Sequence, residues 1–122
     1  PVDQVIKMNE RIGWREHQIA MWGNKKSETI RRSPLHWFKD IPANVPILIM
    51  HGTSDWRVRY THSLKMADNL IKIGAPCRLI LFEGADHSIT EFKEEYWNQS
   101  LNWFQRFLNN DEKIPDMSPH GE

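Results

Sequence analysis

The stretch from Pro46 to Val58, PILIMHGTSDWRV, restricts the fold more than any other part of the chain. Ile47 to Met50 form an unbroken apolar run that leaves a proline and stops at His51-Gly52. A strand that is apolar at every position, rather than at alternate ones, suits a sheet covered on both faces, and such sheets are parallel with flanking helices. Beyond a polar loop, Leu64, Ala67, Leu70 and Ile71 recur at spacings of three and four and predict a helix over about 61–73, with Thr61 as its cap. Gly74 closes that helix and Pro76 forbids its continuation. A second apolar strand, RLILF, then runs from Arg78 to Phe82. Strand, helix, strand is a βαβ unit with a right-handed crossover, so the expected fold class is α/β with a short, incomplete parallel sheet. Parallel strands present their carboxyl ends at one edge. The loop bearing Asp55 and the loop bearing His87 should therefore emerge side by side.

The flanking segments read as helices. Residues 1–23 place Val5, Met8, Ile12 and Ile19 roughly on one face, with Trp14 and Trp22 nearby. A short helix is expected to start near Ser27, acting as its cap, and to end before Pro34. The last helix is expected over about 90–109, with Trp97, Leu101, Phe104 and Leu108 as its buried stripe and Ser88 with Glu91 as a capping box. From Asp111 to Glu122 the chain has little to bury and reads as a flexible tail, so the expected organisation is one domain portion over 1–110 followed by that tail.

Composition narrows the classes of function. The 122 residues carry 16 basic and 16 acidic side chains, a balance that gives no electrostatic case for nucleic acid or an anionic membrane. No apolar run approaches the length of a membrane span, and no basic-then-apolar leader is in view. Cys77 is the single cysteine, so no internal disulfide forms. Residue 1 is proline, and the sequence is expected to be part of a longer chain.

An Asp beside a His at a sheet edge supplies two of the three parts of a nucleophilic triad. The carboxylate holds the imidazole through Nδ1–H, and Nε2 takes a proton from a hydroxyl or thiol. The alternative is a loop-capping Asp with a solvated His. Asp86 is a second candidate acid, although its side chain and that of adjacent His87 are expected to diverge. His51 reads as a structural hydrogen-bonding residue. His51, His62, Asp55 and His87 show no HxxxH or CxxC spacing, so neither a metal nor another cofactor is called for. Trp14, Trp22 and Trp37 read as core or interface, and Arg31-Arg32 as a solvated helix end.

The two loops resemble those of the prolyl oligopeptidase family of serine peptidases, which are α/β-hydrolases. The resemblance rests on His51, Gly52, Asp55 and Val58 after the first strand, and on Leu79 to Phe82, Gly84 and His87 around the second. Arg32-Ser33-Pro34 and the LNWF of Leu101 to Phe104 extend it, so that it covers about residues 22–108. It implies the C-terminal portion of an α/β-hydrolase fold, with Asp55 as triad acid, His87 as triad base and a peptide as substrate. Two alternatives stand beside it: an α/β-hydrolase esterase, or an interaction module that keeps the shape without the reaction. The G-x-S-x-G elbow that would carry the serine does not occur in these residues. Ser54 lacks the second glycine and shares the acid's own loop, and Cys77 opens a strand at the edge opposite His87. The chain by itself is therefore expected to be inactive. Its partners are expected to be the missing N-terminal part of the catalytic domain, or further copies pairing through open strand edges.

Overall fold

The computed structural model describes residues 16, 17, 19–21, 23 and 26–121, and the chain falls into two units, 1–36 and 37–122. Of the long N-terminal helix expected over residues 1–23, most lies outside the described residues; 16, 17 and 19–21 are helical. Helix α1 spans Lys26–Arg31 and α2 spans Pro34–Trp37. Ser27 therefore sits inside the first turn of α1 rather than capping it. Pro34 opens α2, because its fixed φ suits a first helical position and its missing N–H is not needed there.

The second unit holds the sheet. Strand β1, Ile47–Gly52, lies parallel to β2, Cys77–Phe82, with Ile47 opposite Cys77 and Gly52 opposite Phe82. Helix α3, Tyr60–Lys72, makes the crossover and packs on both strands. Its start differs from the expectation at Thr61: Arg59 occupies the cap position, with no side-chain cap. Its end is a Schellman motif. Gly74 adopts φ 73°, its N–H bonds the Ile71 carbonyl at 3.0 Å, and the Ala75 N–H bonds the Leu70 carbonyl at 3.0 Å.

Strand alternation assigns the two sheet faces. Met50, Ile80 and Phe82 point to one side, where they pack with Ala85, Ile89, Phe92 and Tyr96. His51 points to the other, where it bonds Ser63 of α3. Thus helices cover both faces of a two-stranded parallel sheet, a mixed α/β arrangement that matches an incomplete portion of an α/β-hydrolase. Among the described residues, Ala67, Leu70, Ala75, Phe82, Ala85 and Ile89 form the buried apolar set.

The last helix departs most from its sequence reading. It comprises a 3-10 turn, Thr90–Phe92, then α4, Lys93–Phe104, then a π turn, Gln105–Asn109. Trp97, Leu101, Phe104 and Leu108, expected to be buried, are 54%, 55%, 57% and 73% exposed. The helix instead turns Tyr96, Trp103 and Phe107 inward, half-buried. Trp103 meets Phe107 edge-on at 4.8 Å, and the Arg78 guanidinium lies 5.3 Å from the Trp103 ring. Both stripes obey helical spacing. Spacing alone does not decide which one faces the sheet.

Candidate active site

Asp55 and His87 leave the carboxyl ends of β1 and β2. Three hydrogen bonds bring their loops into contact. The Thr53 N–H bonds the Phe82 carbonyl at 2.9 Å, the Ser54 N–H bonds the Ala85 carbonyl at 3.0 Å, and the Gly84 N–H bonds Thr53 Oγ1 at 2.8 Å. The approach is close enough that a Cβ on Gly52 would overlap the carbonyl oxygens of Ala85 and Asp86. Gly52 is thus the residue that lets the two loops cross.

Asp55 is fixed from both sides. Its Oδ1 accepts the amides of Arg57 at 2.8 Å and Val58 at 3.0 Å, which folds the loop around the carboxylate. Its Oδ2 lies 2.7 Å from His87 Nδ1. A carboxylate oxygen accepts, so Nδ1 carries the hydrogen and Nε2 is left as the basic nitrogen of neutral His87. The Asp55 side chain is 3% exposed and that of His87 43%, a buried acid behind an open base. Burial is the largest single influence on the Asp55 carboxyl and pushes it upward. The Val58 amide, His87 and the Arg57 amide together outweigh that influence and hold it below the ordinary carboxylate range.

Asp86 does different work. Its Oδ1 accepts the Ser88 amide at 2.8 Å and the Thr90 amide at 3.1 Å, and the Thr90 hydroxyl bonds Oδ2 at 3.1 Å. It shapes the turn that presents His87, and its carboxyl is held low by the Thr90 amide first, against partial desolvation, with the Ser88 amide adding to it. Glu91 reaches back to the Asp86 amide at 3.2 Å. The capping box expected from Ser88 is therefore centred on Asp86, because Ser88 is itself a donor to that side chain. Ile89 ends the turn with φ 53° while buried against Phe82 and Ala85. A β-branched residue in that region costs of order 1–3 kcal/mol, so its packing is what holds the turn in shape.

His51, expected from the sequence to be a structural hydrogen-bonding residue, is one, and its partners are what the sequence does not show. His51 Nε2 lies 3.0 Å from the Val58 carbonyl and 3.2 Å from Asp55 Oδ2, and its Nδ1 lies 2.6 Å from Ser63 Oγ. Ser63, His51 and Asp55 have the composition of a triad, but His51 is buried and gives its Nε2–H to a backbone carbonyl. The available signal was the i, i+4 separation of His51 and Asp55 across a tight turn; Ser63 was visible only in three dimensions. Ser54 is exposed on the Asp55 loop and Cys77 begins β2, at the end of the strand away from His87. Among the described residues no cluster of three His, Cys, Asp or Glu side chains could hold a metal ion.

The model of the prolyl oligopeptidase family matches residues 2–111. The chain belongs to the prolyl oligopeptidase family. Membership is a statement about nearly all of its length, and it places the chain in a serine peptidase-type family. Searches of curated proteins and of solved structures found no match. In this prolyl oligopeptidase family member the Asp55–His87 pair, with its buried acceptor and exposed Nε2, has the chemistry to orient an imidazole and to take up a proton from solvent's side.

Proposed function

We propose that Asp55 and His87 are the acid and base of a Ser-Asp-His triad that hydrolyses peptide bonds, with the serine supplied by sequence ahead of Pro1. The observation that carries this reading is the 2.7 Å contact from His87 Nδ1 to a buried Asp55 carboxylate, with the rest of the imidazole exposed. His87 Nε2 takes the hydroxyl proton as the serine oxygen bonds the peptide carbonyl carbon. The tetrahedral intermediate then collapses, and the imidazolium gives its proton to the leaving amine. Water repeats the sequence on the acyl-enzyme and regenerates the serine. Asp55 stays ionised throughout. It fixes the tautomer and stabilises the imidazolium, and a carboxylate already held below its usual range suits that role.

The test is made in the full-length protein. His87→Ala should lower kcat on the order of a millionfold and Asp55→Asn about ten-thousandfold, as triad replacements do in other serine peptidases. A fluorophosphonate should label a serine outside these 122 residues, and the purified chain should not be labelled. Activity intact in Asp55→Asn, or labelling of a serine within the chain, would overturn the reading. An unlabelled full-length protein would favour an interaction module.

A further inference from the structure

Asp55 Oδ2 has a second neighbour besides His87. His51 Nε2 stands 3.2 Å from it, and 3.0 Å from the carbonyl of Val58, the residue whose amide binds Asp55 Oδ1. A carbonyl only accepts, so the hydrogen of neutral His51 is on Nε2 and is donated to Val58. Nδ1 is then an acceptor, and the Ser63 hydroxyl donates to it at 2.6 Å. The result is a chain that runs through Val58: Ser63 on α3 bonds His51 on β1, His51 bonds the Val58 carbonyl, the Val58 amide bonds Asp55, and Asp55 bonds His87 on the second loop. Every polar side-chain atom that is buried here is satisfied.

We infer that His51 is a positioning residue for the Asp55–His87 pair, with Ser63 selecting the tautomer that lets it act. The inference rests on the reading of Asp55 and His87 given above. Three links carry it. Two amides grip one oxygen of the carboxylate, but they come from a loop whose Val58 carbonyl would otherwise have no side-chain partner. The His51 N–H holds that carbonyl, with the second carboxylate oxygen 3.2 Å from the same nitrogen, so the path of the loop that grips Asp55 is fixed from the strand. Ser63 lies one turn into the crossover helix, which ties this geometry to the α3 face of the sheet. A ring of the same size without the donor would fill the space and leave the loop free to pivot.

The experiment is nuclear magnetic resonance on this chain, following the His87 Nδ1 proton and its exchange with water. A net hydrogen bond contributes about 0.5–1.5 kcal/mol, so His51→Phe should speed that exchange roughly threefold to tenfold while the backbone spectrum stays folded. His51→Gln keeps an N–H donor and should restore a rate near that of the unsubstituted chain. Unchanged exchange in His51→Phe, or a Gln variant as fast as Phe, would overturn the inference. The tautomer in the unsubstituted chain needs no variant to fold. Long-range nitrogen spectra should show His51 protonated at Nε2 with Nδ1 bare, and a proton on Nδ1 would also overturn it. Asp55→Asn separates the two readings: it should remove the slowly exchanging His87 signal. If that signal persists, the Asp55–His87 pairing itself is wrong; if it vanishes while His51→Phe changes nothing, only the role of His51 falls.

Discussion

A carboxylate that is 3% exposed, and yet easier to ionise than one in water, has to be compensated by its neighbours. For Asp55 those neighbours are two amides and an imidazole, and the compensation has a sign. Because the folded state holds this carboxyl below its unfolded value, the unfolded chain takes up a proton first as the pH falls. The stabilisation is therefore complete above the unfolded value, about pH 4, and is lost as acid passes through the lower folded one. Asp86, Glu112 and Asp116 are also shifted down and act in the same direction. The melting temperature should consequently fall below about pH 4, and Asp55→Asn should make that fall shallower without abolishing it. Thermal melts of the two proteins across that range would check it, and parallel curves would show that the Asp55 contacts contribute nothing. At this scale the sequence discloses Asp55 and His87 as neighbours because a parallel crossover sends both strand ends to one edge. It discloses His51 as a hydrogen-bonding residue but not its partner Ser63, and their link spans a strand end and a helix turn twelve residues apart.

Two glycines show how differently elements depend on single residues. Gly74 has φ 73° and open space where a Cβ would go, so Gly74→Ala meets only the backbone cost of a left-handed residue, about 1–2 kcal/mol. Gly52 has no such strain. It faces the backbone of Ala85 and Asp86, atoms that cannot swing aside like a flexible side chain. Gly52→Ala should cost more, up to about 3 kcal/mol, by forcing the second loop away from the first. The two variants should also differ in kind: Gly74→Ala leaves the His87 Nδ1 proton signal in place, and Gly52→Ala shifts or loses it. Chemical denaturation with the same spectra would decide, and a Gly52→Ala chain with unaltered loop signals would refute the crossing. The element pattern itself was readable. Both strands, the crossover helix and its glycine stop follow from period and punctuation. Caps at Thr61 and Ser88 were not, because a residue with capping chemistry is common and the cap is decided by where the preceding loop arrives.

The unit that carries the site has a thin interior. Leu70 is its largest fully buried side chain, and two strands do not make a stable sheet alone. Against that, α4 and the turn after it carry one apolar stripe on the sheet and a second, Trp97, Leu101, Phe104 and Leu108, facing outward. Sequence periodicity was unable to choose between the stripes because both are apolar. A helix with two apolar faces is stable when both are covered. We propose that the outward stripe and the open strand edges are completed by the remainder of a catalytic domain, and that the chain in isolation substitutes contacts with further copies of itself. Sedimentation should then show association that increases with concentration. Leu101→Glu with Phe104→Glu places charge on the exposed stripe while leaving Tyr96, Trp103 and Phe107 on the sheet, so it should shift the population toward monomer with little loss of melting temperature. If association persists unchanged in that variant, the strand edges carry it. If the unsubstituted chain is a monodisperse monomer that melts cooperatively, neither surface needs a partner and the proposal falls.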